Sequence, residues 1–237
     1  RASILMYHSV GENPAFFTVR PKDFEWQMGY LKKNGYETLF LSDLIKKMES
    51  GATLGSKNIV LTFDDGYEDN FLNALPILRK YGFKATIFLA TDFIGKEMIN
   101  RNGTSLKMLN WEQIFEMHKS GLIDFQPHTT SHVDLTSVSA AEAEKEILES
   151  KKLLEERLNK KCNSLAYPWG RYNSEIINIL KHNGFGGAVT IREGVVKNSD
   201  GPFELKRNSI DSTTSSEQFI GKINYSIEVF RKIFKSK

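Results

Sequence analysis

Short apolar runs separated by helix-patterned segments recur along the whole chain, and this alternation limits the possible folds more than any other feature. Residues 3–7, 38–40, 58–63, 85–90, 123–126, 164–167, 186–191 and 205–210 read as strands. Between them, apolar residues fall at helical spacing. The first such segment, 21–34, carries Phe24, Met28 and Leu31 and stops at Gly35. Others cover 41–50, 71–81 ending at Gly82, 111–120 ending at Gly121, and 174–183. The longest, 139–160, opens with Ser139 and Glu142 at capping-box spacing. The run 85–90 is apolar throughout, as expected of a strand covered on both faces. Strands alternating with helices call for a parallel sheet joined by crossover helices. Residues 92–110 are polar and irregular and read as a loop walling a cleft.

Two clusters of chemistry sit on this frame. The strand at 58–63 runs into Asp64-Asp65-Gly66-Tyr67, and about sixty residues later comes His128-Thr129-Thr130-Ser131-His132. Neighbouring side chains on a strand point apart, but at a strand end running into a turn both carboxylates can reach one cleft. Histidines at i and i+4 share one face of a helical turn. One carboxylate and two imidazoles leave open positions on a divalent cation, as in catalytic zinc sites. The second carboxylate is then available as a base on the water that such an ion activates. Separately, each half has an ordinary origin, since Asp and Gly dominate turns and a spaced histidine pair can simply lie on a surface. Together they are far more specific, because burying carboxylates without partners is costly. His8, Asp64, Asp65, His128 and Trp169 all fall at the C-terminal ends of strands, where barrel enzymes place their sites.

These motifs resemble those of the polysaccharide deacetylases, carbohydrate esterase family four. The resemblance rests on Thr62-Phe63-Asp64-Asp65-Gly66, on His128-Thr129-Thr130-Ser131-His132 and on Ala166-Tyr167-Pro168-Trp169-Gly170, in that order. With Tyr7-His8 ahead of them, the chain looks most like the branch that includes deacetylases of biofilm poly-N-acetylglucosamine. The resemblance implies a distorted (β/α) barrel of about seven parallel strands, with residues 1–237 as a single catalytic domain. It implies a hydrolase that removes N-acetyl groups from an N-acetylhexosamine polysaccharide. Asp65, His128 and His132 would hold a divalent metal, Zn2+ ahead of Co2+ or Ni2+, and Asp64 would be the general base. Trp169 carries the first N–H after Pro168, which has none, and would donate it to the oxyanion. Many relatives take the acid from a Leu-x-His motif near the C-terminus, which this chain lacks; its last histidine, His182, lies in a helical segment. His8 is the implied acid instead. Many relatives also have an Arg at the position of Ala166, and Arg207 is the candidate to supply that charge from elsewhere.

Composition bounds the rest. The 237 residues fit one domain, and 40% hydrophobic content suffices for its core. A net charge of +3 gives no case for nucleic acid. A single cysteine, Cys162, excludes an internal disulfide. No apolar run reaches the roughly eighteen residues of a transmembrane helix. The first residue is Arg1 rather than Met, which reads as a trimmed or mature form, and the resemblance favours an extracellular or cell-envelope setting. From Ser216 onward, Phe219, Ile223, Phe230 and Phe234 recur at helical spacing among Lys222, Arg231, Lys232 and Lys235. This stretch reads as a helix packed on the barrel, with a membrane surface as the alternative. Three other functions fit parts of the pattern. A same-scaffold amidase could act on a small or lipid-linked amide. An iron(II) oxygenase could use the two histidines and one carboxylate, although it needs no second carboxylate beside them. A catalytically dead sugar-binding module would have no use for the complete set.

Overall fold

The computed structural model describes residues 1–99 and 103–224. The chain opens with β1 (Ser3–Tyr7), β2 (Ser9–Val10), β3 (Thr18–Val19), α1 (Pro21–Lys33), β4 (Glu37–Leu39), α2 (Leu41–Glu49) and β5 (Asn58–Phe63). A π-helical turn (Asn70–Ala74) leads into α3 (Leu75–Tyr81). There follow β6 (Ala85–Leu89), β7 (Glu97–Ile99), β8 (Ser105–Lys107), α4 (Trp111–Lys119), β9 (Ile123–Pro127) and α5 (Ala140–Leu158). The last elements are β10 (Ser164–Ala166), α6 (Ser174–His182), β11 (Gly187–Val189), β12 (Asn208–Ser209) and α7 (Ser216–Ile223).

The main sheet runs β12-β1-β5-β6-β9, with every pairing parallel. The edge of β5 is shared: Asn58, Ile59 and Val60 pair with β4, while Thr62 and Phe63 pair with β6. A second parallel pair, β10-β11, joins the route to β12 through Leu205, whose N–H donates to Ala188 and whose carbonyl accepts from Thr190. The seven strands β1, β5, β6, β9, β10, β11 and β12 thus form the wall of a distorted parallel barrel. Between β9 and β10 there is no backbone ladder among the described residues. Side chains close that seam. Gln126 Oε1 accepts from the N–H groups of Asn163 and Ser164 at 3.0 and 3.1 Å. Its amide donates to Asp124, which pairs with Lys160.

Helices form where the apolar periodicity falls, and their ends carry the expected signals. Pro21 opens α1, where a missing N–H costs nothing. Gly82, at φ 68°, ends α3 in the left-handed conformation that glycine adopts freely. Asn110 and Gln113 form a capping box on α4, and Ser139 caps α5 by accepting from Glu142 N–H. The inward faces of helices and strands meet in a core containing Tyr7, Phe24, Phe63, Phe125 and Phe219, all fully buried. Truncating one such phenylalanine would cost about 3–5 kcal/mol.

Two segments differ from the expectation. Residues 92–110 are not wholly irregular: β7 and β8 pair as an antiparallel hairpin, too short and polar to show a strand signature. The run 205–210 is in strand conformation only at Asn208 and Ser209. At the C-terminus, Phe219 and Ile223 are buried against the barrel, which is the packed-helix reading. Phe230, Arg231, Lys232, Phe234 and Lys235 lie outside the described residues. No helix among the described residues is long and apolar enough to cross a membrane.

Candidate active site

The two carboxylates leave the end of β5 by different means. Asp64 is still held by strand pairing, its N–H donating to the Tyr7 carbonyl at 3.0 Å. Asp65 has φ 71° and Gly66 φ 88°, so the chain turns over immediately after Asp64. This reversal cancels the alternation that would otherwise send the second carboxylate away from the cleft. Gly66 is required twice over, because a Cβ there would also lie 2.4 Å from the Leu89 side chain.

Asp64 is gripped from below by Arg207, which is fully buried. The guanidinium donates to both carboxylate oxygens at 2.7 Å, the bidentate geometry of strong charge-assisted bonds. Its Nε donates to the Thr190 carbonyl and Nη1 also reaches Thr62 Oγ1. Burial would raise the pKa of Asp64, but Arg207 outweighs it and holds the carboxyl below the usual range. Arg207 therefore supplies the charge that Ala166 cannot.

The two histidines converge without a helix. Thr129 has φ 67° and His132 φ 60°, so the 128–132 segment is a tight loop rather than the helical turn expected from the spacing. Its backbone donors find partners that a helix would not offer. Glu146, on α5, accepts from Thr130 N–H, Ser131 N–H and Ser131 Oγ at 3.0, 2.9 and 2.8 Å. Thr129 Oγ1 accepts from His132 N–H. His128 Nδ1 donates to the Ala166 carbonyl at 2.7 Å, which leaves Nε2 as the ring's lone-pair atom. The Nε2 atoms of His128 and His132 lie 3.4 and 3.3 Å from Asp65 Oδ1.

That oxygen is the point at which the site can be tested for a metal. Asp65 Oδ2 accepts from Tyr67 Oη at 3.0 Å, but Oδ1 is buried and has no hydrogen-bond partner. An orphaned buried acceptor is costly, and both imidazole contacts exceed ordinary hydrogen-bond lengths. Donor atoms about 2.0–2.1 Å from a tetrahedral ion sit roughly 3.3 Å apart; each imidazole nitrogen lies at that distance from Asp65 Oδ1, and the three donor atoms lie within 4.8 Å of one another. One carboxylate oxygen and two imidazole nitrogens also suit zinc or a similar divalent ion, so the residues fit the group. Protonation favours the same use. Burial holds His132 down to about 4, with the pull of Asp65 partly cancelled by His128. Asp65 stays ionised, because the two histidines outweigh the effect of its burial. His128 is pulled upward by Asp65 and Asp64 against its burial, as an imidazole is when it faces carboxylates with no cation between them.

The remaining candidates border this centre. His8 follows β1, half-buried, with its ring 5.4 Å from that of Phe17. It is close enough to Asp64 and Asp65 to favour their ionised forms. Trp169 sits in a turn at φ 60°, followed by Gly170 at φ 66°. Its ring meets that of His132 edge-on at 4.8 Å, and the residue is 41% exposed. A Cβ at Gly170 would lie 2.3 Å from Ile191. All six residues singled out in the sequence thus gather at one end of the barrel. Sequence reasoning missed Glu146 and Tyr67. Glu146 is one glutamate among several on an amphipathic helix, and nothing in the pattern separates it from solvated neighbours. Tyr67 follows the carboxylate motif directly, and that proximity was its only signal.

A parallel barrel with carboxylates and imidazoles gathered at the carboxyl ends of its strands is the equipment of a hydrolase. A polysaccharide deacetylase family model matches residues 51–188. The Bacillus subtilis protein YxkH is 33% identical over 216 residues, covering 91% of this chain and 74% of its own length. The poly-beta-1,6-N-acetyl-D-glucosamine N-deacetylase of Staphylococcus epidermidis is 31% identical, covering 76% of this chain, which spans 63% of that relative. Among solved structures, the Streptococcus pyogenes deacetylase PplD in complex with acetate superposes with a TM-score of 0.82 at 30% identity, covering 94% of this chain and 97% of that one. The chain belongs to the polysaccharide deacetylase family.

Proposed function

We propose that this chain, acting as a single catalytic domain over residues 1–237, hydrolyses the N-acetyl amide of an N-acetylhexosamine polymer. The observation that carries the reading is the pairing of two carboxylates with opposite surroundings. Asp65 presents an orphaned oxygen to two imidazole nitrogens, while its neighbour Asp64 is anchored through both oxygens to Arg207. A sugar-binding module needs neither arrangement.

Asp65, His128 and His132 would hold a divalent ion, with Zn2+ the best match to the donor set. When bound, the ion would supply Lewis acidity that acidifies water and polarises an acetyl carbonyl. Asp64 accepts the proton of the attacking water. Each of its oxygens retains a lone pair beyond the one given to Arg207, and the ion pair keeps it ionised and oriented. His8 donates a proton to the departing amine. The Trp169 N–H stabilises the developing oxyanion. The Trp169 ring shields one side of the centre, and its exposure leaves a face for substrate.

Two relatives support the substrate class. One is named for its action on poly-beta-1,6-N-acetyl-D-glucosamine. The other was solved with acetate, the product expected of an N-deacetylase. A polymeric glycan places the work outside the cytoplasmic membrane or in the cell envelope. The deciding experiment is acetate release from a panel of N-acetylated glycans, with and without chelator. Chelator-sensitive release from oligomers of N-acetylglucosamine is expected. Release from small amides alone, or full activity in metal-free protein, would overturn the proposal.

A further inference from the structure

The His8 imidazole makes no hydrogen bond to any described residue; its one ring contact is with Phe17. A group meant to deliver a proton to one departing nitrogen must nevertheless be aimed, since small displacements of a reacting group are expensive. The aim has to come from the backbone that carries the ring. Beside its ladder with β3, that backbone is tied by side chains to one short segment, the π-helical turn and the residue before it. Asn70 Nδ2 donates to the His8 carbonyl at 2.8 Å. Ser9 Oγ donates to Asp69 Oδ2, and Val10 N–H donates to Asp69 Oδ1 at 3.1 Å. Asn73 Nδ2 donates to the Val10 carbonyl at 2.7 Å. Four consecutive polar ties thus fix residues 8–10 to residues 69–73.

The ties extend to the loop that carries Phe17. Because Ser9 gives its only proton to Asp69, its oxygen is free to accept from Asn13 Nδ2 at 2.8 Å. Asn13 Oδ1 in turn accepts from Thr18 Oγ1 at 2.6 Å. Phe17, between them, stacks on Tyr67, the donor to Asp65. Space is also used up: a Cβ on Gly11 would lie 3.0 Å from Asp69 Oδ2. A π-turn is a rare geometry that concentrates at functional sites. Here it begins five residues after Asp65, so one rigid piece of chain links the carboxylates to the strand end bearing His8. An alternative account, that Asn70 merely fills space, leaves its fully buried amide and the convergence of four bonds on three residues unexplained.

We infer that Asp69 and Asn70 are positioning residues for the acid, aiming His8 through its own backbone. The inference rests on the reading of His8 as the proton donor, and the test separates the two. Asn70→Ala, His8→Ala and the double variant would be compared on an N-acetylated glycan amide and on an activated acetyl ester, which needs no protonated leaving group. Asn70→Ala is expected to lower amide turnover roughly ten- to a hundredfold while changing ester turnover less than about threefold, because misaiming affects only the step that uses the acid. Metal content should stay at the parental level. In the His8→Ala background, Asn70→Ala should cost no more than about twofold further on the amide, the non-additivity of residues acting as one unit. If His8→Ala affects amide and ester alike, the acid assignment fails. If His8→Ala discriminates but Asn70→Ala does not, or the double variant is additive, the positioning inference alone is overturned. Asn73→Ala, which cuts one tie at a half-buried residue, decides the matter if Asn70→Ala does not fold: a smaller loss confined to the amide is expected, and equal losses on both substrates would overturn it.

Discussion

The two ends of this barrel treat buried charge in opposite ways. At the mouth, four residues other than glycine hold positive φ: Asp65, Thr129, His132 and Trp169. The mouth also contains an acceptor with no donor, Asp65 Oδ1. The other end carries charge as well, but its charge is cancelled and bonded. Asp124 is paired with Lys160 and bonded by Gln126, and Lys160 also donates to the Phe125 carbonyl. Among the described residues, the one non-glycine at positive φ outside the mouth, Asn159, is an ordinary left-handed helix cap. Left-handed conformations cost a residue with a side chain roughly 1–3 kcal/mol each. The comparison teaches that, among the described residues, left-handed backbone outside glycines and a helix cap gathers where the candidate site's side chains converge.

The contrast can be broken most directly at Asp65. Asp65→Asn should lose bound metal and fall to background turnover, while its melting temperature holds or rises, because a costly buried charge is removed from a strained turn. A stable variant that keeps both metal and activity would erase the distinction. Asp64→Asn should lose rate by roughly two to four orders of magnitude, the usual worth of a general base, with metal content unchanged. Equal metal loss in both variants would show that the two carboxylates do not divide the work.

Next in size is Arg207→Met, which strands a buried carboxylate and should cost about 3–5 kcal/mol in denaturant unfolding. Its pH dependence gives a second reading. Asp64 is held below its ordinary pKa, so its contribution is complete above about pH 3.9 and is lost as pH falls through the lower folded value. In Arg207→Met that acid-side loss should shrink or vanish. At the far end, Asp124→Ala should cost about 1–2 kcal/mol, less than a fully buried pair because both partners retain some exposure. Turnover per folded molecule should stay at the parental value, and a selective fall in kcat would mean that the base of the barrel is coupled to its mouth. The smallest effect belongs to Asn159→Gly, which should shift stability by no more than about 0.5 kcal/mol and most naturally upward, since glycine adopts this conformation freely.

Much of this was legible in the chain because periodicity and punctuation agree. The strands at 3–7, 58–63 and 85–90 and the helix stops at Gly35 and Gly82 follow from local physics. The gathering of Asp64, Asp65, His128 and His132 followed from strand ends sharing one face. What was not legible depended on tertiary context. Spacing suggested a helical turn for the histidines, but bonds from Glu146 and Thr129 pay for a different backbone. Arg207 could be nominated as the missing charge, yet only the fold brings it 143 residues back to Asp64. The β7-β8 hairpin was hidden because three-residue strands of mixed polarity leave no period to read.

The seam between β9 and β10 carries a consequence for how this barrel breathes. Within the main sheet, an amide proton shared between paired strands must wait for a backbone ladder to part before solvent can take it. The N–H groups of Asn163 and Ser164 are guarded by a single glutamine side chain, and rotating one residue uncovers both. They should be among the first strand-associated amides to exchange with deuterium under native conditions. The same gap is crossed near its upper end by the His128 to Ala166 bond. Lys160 and Cys162 add bonds to the Phe125 carbonyl, so this stretch of the wall is sewn by side chains where a ladder would otherwise run.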